Sequence, residues 1–183
     1  MLIQCHIRGL AGLAIPLISI VVSIAYSPWF NIFNNALSDL GDPCRSATAL
    51  IFNAGLAIGG LVIVVFALVD VLKYNVVLAI ILEILGSFLI LIGIINDSYG
   101  YMHFVVSAIF FISAVVLLAY LALMLNSTLP LISFTIVVSV WTVYFIFRIP
   151  KGAAIPETIS IVFASPWYLK TINMLCRIIF RSN

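Results

Sequence analysis

The segment that decides the fold runs from Ala47 to Ile95: ATALIFNAGLAIGGLVIVVFALVDVLKYNVVLAIILEILGSFLILIGII. It holds two apolar runs, 47–72 and 76–95, joined only by Lys73-Tyr74-Asn75. A helix rising 1.5 Å per residue needs about 20 apolar residues to cross the hydrocarbon core of a bilayer, and each run is that long. A membrane strand would alternate in polarity over about ten residues, whereas these runs are apolar on every side. A link this short forces the second helix to run back beside the first.

Working outward, four more runs fit the same template: 9–26, 101–125, 130–147 and 156–176. The last is interrupted by Pro166 and Lys170. Asn126 to Leu129 forms another tight link, so no room remains for a soluble domain. The expected fold is all-α: a polytopic membrane protein, an antiparallel six-helix transmembrane bundle with short loops, making one domain of residues 1–183. The first run is longer than the apolar core of a signal peptide and lacks an A-x-A site, so it reads as a permanent helix.

Composition agrees. Charged residues are 8% of the chain and hydrophobic ones 65%, with a mean hydropathy of +1.33. Soluble domains carry about 25% charged residues, so this chain cannot coat itself for water and its expected partner is the lipid bilayer. Other membrane subunits are further candidate partners. A net charge of +2 without a block of like charges argues against nucleic acid. The three cysteines, Cys5, Cys44 and Cys176, form no CxxC. Cys5 and Cys176 fall at one membrane face, where a disulfide is conceivable; free thiols are the expectation.

Both termini fall on one face, with Arg8, Lys73, Arg177 and Arg181; the opposite face has Arg45, Arg148 and Lys151. Four cations against three favour a cytoplasmic terminal face in a multi-pass cell-membrane protein. Sequons at Asn96-Asp97-Ser98 and Asn126-Ser127-Thr128 lie on opposite faces, so at most one is glycosylated in a single topology.

The polar chemistry is unevenly placed. Asp39, Asp42, Arg45, Asn53, Asp97, His103, Arg148, Lys151 and Glu157 all fall at the face opposite the termini. This implies a polar pocket or docking surface there. Asp39, Asp97, His103 and Glu157 are the catalytic candidates, with Asp97 and His103 as candidate metal ligands. Arg45, Asn53, Arg148 and Lys151 are candidates for contact with a head group or ligand. Bland roles compete: Asp39 and Asp42 suit turns, Asn53 suits helix–helix hydrogen bonding, and His103 suits a satisfied interfacial histidine. No cofactor is evident, and no HxxxH spacing supports a metal.

Glu83 and Lys170 each lie about 10 Å in from the terminal face by helical rise. Unpaired charges there are costly, so they are expected to form an intramembrane ion pair, with Asp70 as the next group outward. Gly55 and Gly59, four apart and followed by Gly60, mark the second helix as central. No nucleophile elbow, P-loop, HExxH or dinucleotide-binding turn is present.

The pattern Leu37-Ser38-Asp39-Leu40-Gly41, then Ile51-Phe52-Asn53 opening a glycine-bearing helix, resembles a family of six-helix integral membrane proteins of archaea and bacteria. That family is known as domain of unknown function 998. Gly93 to Asn96 followed by His103, and Pro156-Glu157 before Trp167, are similar to its later motifs. Asn96-Asp97 stands where the family has a proline-containing turn. The resemblance implies six helices and the polar cluster, and no reaction. Three functions are compatible: an accessory or lipid-binding membrane subunit, a membrane-embedded hydrolase or transferase acting on a lipid head group, or a small ion- or proton-coupled transporter.

Overall fold

Every long apolar run becomes a helix, because a backbone without water must satisfy its hydrogen bonds within the segment. The computed structural model describes residues 2–181, with side chains over 3–178. The Arg181 side chain, counted above toward the terminal face, therefore lies outside the described residues. The helices are α1 (Leu2–Ala25), α2 (Ala49–Phe66), α3 (Val76–Ile94), α4 (Tyr101–Met124), α5 (Thr128–Phe147) and α6 (Ala154–Arg181). Short 3-10 turns stand at Leu37–Gly41 and Asp97–Tyr99, and α2 ends in a wider π turn, Ala67–Val71. Five helices, α1 to α5, are long and apolar enough to cross a membrane. The sixth expected span is a helix, but with Glu157, Pro166 and Lys170 in it α6 is not among those five.

Helix α1 starts seven residues earlier than the apolar run, because its first turns find polar partners. Arg8 Nε donates to Asp70 Oδ2 at 2.7 Å and Nη2 donates to Oδ1 at 2.6 Å. Asn75 caps α3 by accepting from the Leu78 amide at 2.9 Å, and the Tyr120 hydroxyl donates to the same oxygen at 2.9 Å. That amide thus fixes the start of α3 against the end of α4.

Five helices form a ring in which neighbours touch: α1 to α2, α2 to α3, α3 to α4, α4 to α6, and α6 back to α1. Helix α5 stands outside the ring, in substantial contact with α4 and α6 alone. Helix α2 is central, as its glycines imply. A Cβ on Gly55 would strike Ser19, one on Gly59 would strike Pro16, and one on Gly60 would meet the Gly86 carbonyl. Backbones approach closely there because no side chain intervenes. Phe66, Leu78, Leu82, Leu117 and Leu121 fill the core. The outer surface is apolar too: Leu131, Ile132, Phe145, Ile146 and Phe147 on α5 are all exposed. A soluble monomer does not present so continuous a belt.

Two sequence expectations are corrected at the terminal end. Cys5 and Cys176 are joined in a disulfide, both sulfurs fully buried between α1 and α6; the expectation of free thiols fails because the two helices are adjacent in the ring. Cys44 is free and exposed. Glu83 and Lys170 do not pair. Both are exposed on the outer surface, and Lys170 Nζ sits 5.3 Å from the centre of the Trp167 ring instead. Equal depth along two helices does not put two side chains on facing sides. Among the described residues, the ion pair at the terminal end is Arg8–Asp70, with Asp70 buried in the π turn.

Candidate functional site

Three connections converge where α1 ends and α6 begins. The first connection pairs with the one before α6 in strand-like fashion. The Gly152 amide donates to the Phe33 carbonyl and the Ala154 amide to the Asn35 carbonyl, both at 3.0 Å. Gly152 is required at that crossing: a Cβ there would run into the Asn35 backbone. The pairing sets Glu157, in the first turn of α6, beneath the turn at Leu37–Gly41. The Leu37 amide donates to Glu157 Oε2 at 2.6 Å. Among the described residues no donor reaches the other oxygen, although the side chain is only 7% exposed. A buried carboxylate held by one amide is costly unless something else solvates it.

The turn itself is held from two sides. Asp39 accepts from Asn35 Nδ2 at 2.8 Å and pairs with Arg45 at 3.2 Å. Arg45 also lies over the Trp29 ring, 5.2 Å from its centre. Asn53 Nδ2 donates to the Gly41 carbonyl at 2.8 Å, so this amide ties α2 to the turn rather than helix to helix; its Oδ1 is buried and unpaired. Asp42 accepts from the Cys44 amide at 2.9 Å, as a turn residue does. These three side chains, Asp39, Arg45 and Asn53, are structural members of the turn.

His103 is buried in the first turn of α4. Its Nδ1 donates to the Ile95 carbonyl at 2.6 Å, so in the neutral ring Nε2 is the acceptor for the Ser107 hydroxyl at 3.2 Å. Both ring nitrogens are thus engaged with the protein. Among the described residues no group of three or more His, Cys, Asp or Glu side chains is placed to hold a metal, and Asp97 with His103 makes only two. Asp97, in the turn before α4, is half-buried. Desolvation pushes its carboxyl above the usual range; the nearby charges of Asp39 and Asp42 push the same way, and His103 and Arg45 oppose them.

A lateral groove of about 820 Å³ opens between α4 and α5. Phe104, Phe111, Ile112, Val116, Val138 and Phe145 supply apolar walls. Asp97, His103, Arg148 and Glu157 lie at its loop end. Arg148 ends α5 in the left-handed conformation, at φ 55°, and its side chain is exposed. Lys151 is exposed and is not part of the groove lining. Ser38, Ser107, Phe111 and Glu157 also line a second, smaller cavity of about 120 Å³ at the centre of the five-helix ring. Glu157 therefore stands between the two.

Of the residues singled out by sequence, Asp97, His103, Arg148 and Glu157 come together; Asp39, Arg45 and Asn53 support them from the turn. Sequence reasoning missed Gly152, the Leu37 amide and the aromatic wall. Trp141 and Tyr144 were present in the fifth run, but an aromatic on an all-apolar helix carries no direction. Trp141 Nε1 donates to Ser160 Oγ at 2.9 Å and Trp167 Nε1 to Ser133 Oγ at 2.8 Å. These two bonds tie α5 to α6 and hold the groove's outer wall.

The profile of a family described as "Protein of unknown function (DUF998)" matches residues 10–171, which covers α2 to α5, most of α1 and α6, and the whole groove. The chain belongs to the DUF998 family. No curated protein and no solved structure gives a significant match. Among the motifs that carried the resemblance, Leu37 to Gly41 is the turn of the DUF998 protein that covers Glu157, and Asn53 is its anchor.

Proposed function

We propose that this DUF998 protein is a multi-pass membrane protein, an antiparallel six-helix bundle, that binds a membrane lipid in the groove between α4 and α5. The head group lies against Asp97, His103, Arg148 and Glu157, and the acyl chains lie along the aromatic wall. One observation carries the reading: a groove of about 820 Å³ has apolar walls along its length and every polar charge at one end. That volume falls in the range of about 300–1,000 Å³ found for small-molecule sites. Bound lipid fits an accessory or lipid-handling subunit, with the bilayer as first partner and another membrane protein as second.

A second reading, hydrolysis or transfer at the head group, draws support from His103 and Glu157 lining the same groove. It requires His103 to give up one of its two protein hydrogen bonds. The transporter reading loses its main support, since Glu83 and Lys170 face outward.

The test is native mass spectrometry of the protein extracted in mild detergent, beside Ile112→Trp, which fills the groove from α4. A one-to-one lipid adduct in the wild type, lost in the variant, is the expected result. Equal adducts in both would remove the groove as the binding place.

A further inference from the structure

The groove's charges describe its ligand. Among the described residues, Arg45 is already paired with Asp39, whereas Arg148, Asp97 and Glu157 make no ion pair. Among the described residues the groove thus presents the Arg148 cation and two carboxyl groups, all outside any ion pair. In its neutral form His103 adds no donor, because Nδ1–H is spent on Ile95 and Nε2 accepts from Ser107. Glu157 presents an oxygen without a protein donor on a side chain that is more than nine-tenths buried. Asp39 and Asp97 stand near it, so the interior end of the site is acidic and Arg148 marks the exposed end.

Resting on the lipid-binding reading above, we propose that the ligand is a phospholipid with a primary-amine head group. Its ammonium donates to Glu157 and Asp97, and its phosphate meets Arg148. An ammonium group has three donors and no acceptor, which suits a site short of donors. A phosphate accepts the fork of an arginine. A quaternary ammonium has no N–H to give to Glu157, and a glycerol head group brings no positive charge to the acidic end. The two carboxyls need not both be ionised: a proton on one of them leaves a single negative charge opposite the ammonium.

The experiment offers the purified, delipidated protein an equimolar mixture of phosphatidylethanolamine, phosphatidylcholine and phosphatidylglycerol with identical chains, read by native mass spectrometry. The expected outcome is a single adduct, enriched about tenfold in the ethanolamine lipid over the other two, since one lost charge-assisted hydrogen bond is worth about that factor. Glu157→Gln should abolish the preference for the amine while retaining lipid. Asp97→Asn, a near-isosteric change in the half-buried turn before α4, should weaken it in the same direction. Arg148→Gln should lower retention of the ethanolamine and choline lipids alike. Equal retention of all three lipids would overturn the amine assignment and leave the lipid reading standing. Enrichment of the glycerol lipid would overturn the assignment through Arg148. No adduct with any lipid would sink both. A separate arm adds free phosphoethanolamine; if it binds as tightly as the lipid, the apolar wall has no part in recognition and the ligand is a soluble one.

Discussion

Replacing Asp70 with Asn tests the pairing that holds the terminal end together. Asp70 is buried, with a side chain 4% exposed, and it meets Arg8 through two short parallel bonds. Removing one partner of a buried pair costs about 3–5 kcal/mol, because the survivor keeps its charge without compensation. Arg8 is 26% exposed, so water recovers part of that loss, and about 2 kcal/mol is the expected cost. For a chain of this size that is a fall in midpoint of roughly 4–8 °C. Asp70→Asn combined with Arg8→Met should recover most of the loss, to within about 1 kcal/mol of wild type. Glu83→Gln is the control: the residue is exposed and unpaired, so the change should stay within about 0.5 kcal/mol. Thermal unfolding in one detergent, followed by tryptophan fluorescence, reads the three variants beside the wild type. The reasoning fails if Glu83→Gln is as damaging as Asp70→Asn, or if the double variant is no better than the single one.

Gly152→Val should push the two crossing connections apart and cost about 2 kcal/mol or more; faster hydrogen exchange at the Ala154 amide would register it, and unchanged exchange would deny the crossing. Asn53→Leu removes the donor to the Gly41 carbonyl but also an unpaired buried oxygen, so the net loss should be only about 1 kcal/mol, a fall of roughly 2–4 °C in unfolding midpoint. Trp141→Phe keeps the ring and deletes the bond to Ser160; cysteine accessibility at Ile112→Cys should rise as α5 loosens, and no rise would mean the bond is not what holds the wall.

Much of this was legible in the sequence. The five strongest runs gave helices, with ends within a few residues except at the start of α1, because an apolar stretch of about 20 residues has few alternatives. The glycines of α2 announced its close neighbours for the same kind of reason, a missing Cβ. Asp97, His103, Arg148 and Glu157 could be grouped because short connections fix which end of a span each occupies. What failed was azimuth. Glu83 and Lys170 have matching depths, but on helices apolar all round no periodicity says which side faces in, and both turned outward. The disulfide was hidden likewise: that α1 and α6 are neighbours follows from closure of the ring, and no local pattern in either helix records it. The Leu37 amide and the crossing at Gly152 are backbone features, and side-chain identities reveal them only through a glycine whose neighbour lies over a hundred residues away.

The Cys5–Cys176 bond makes the polypeptide a covalent hoop enclosing almost its whole length. A single protease cut in any connection would leave its mass intact until a reductant is added. The hoop also decides where the wall can part. The seam between α1 and α6 is riveted, whereas no disulfide fastens α5. Helix α5 stands outside the ring and is fastened to α6 through two indole–hydroxyl bonds, so under the lipid-binding proposal lipid enters beside it.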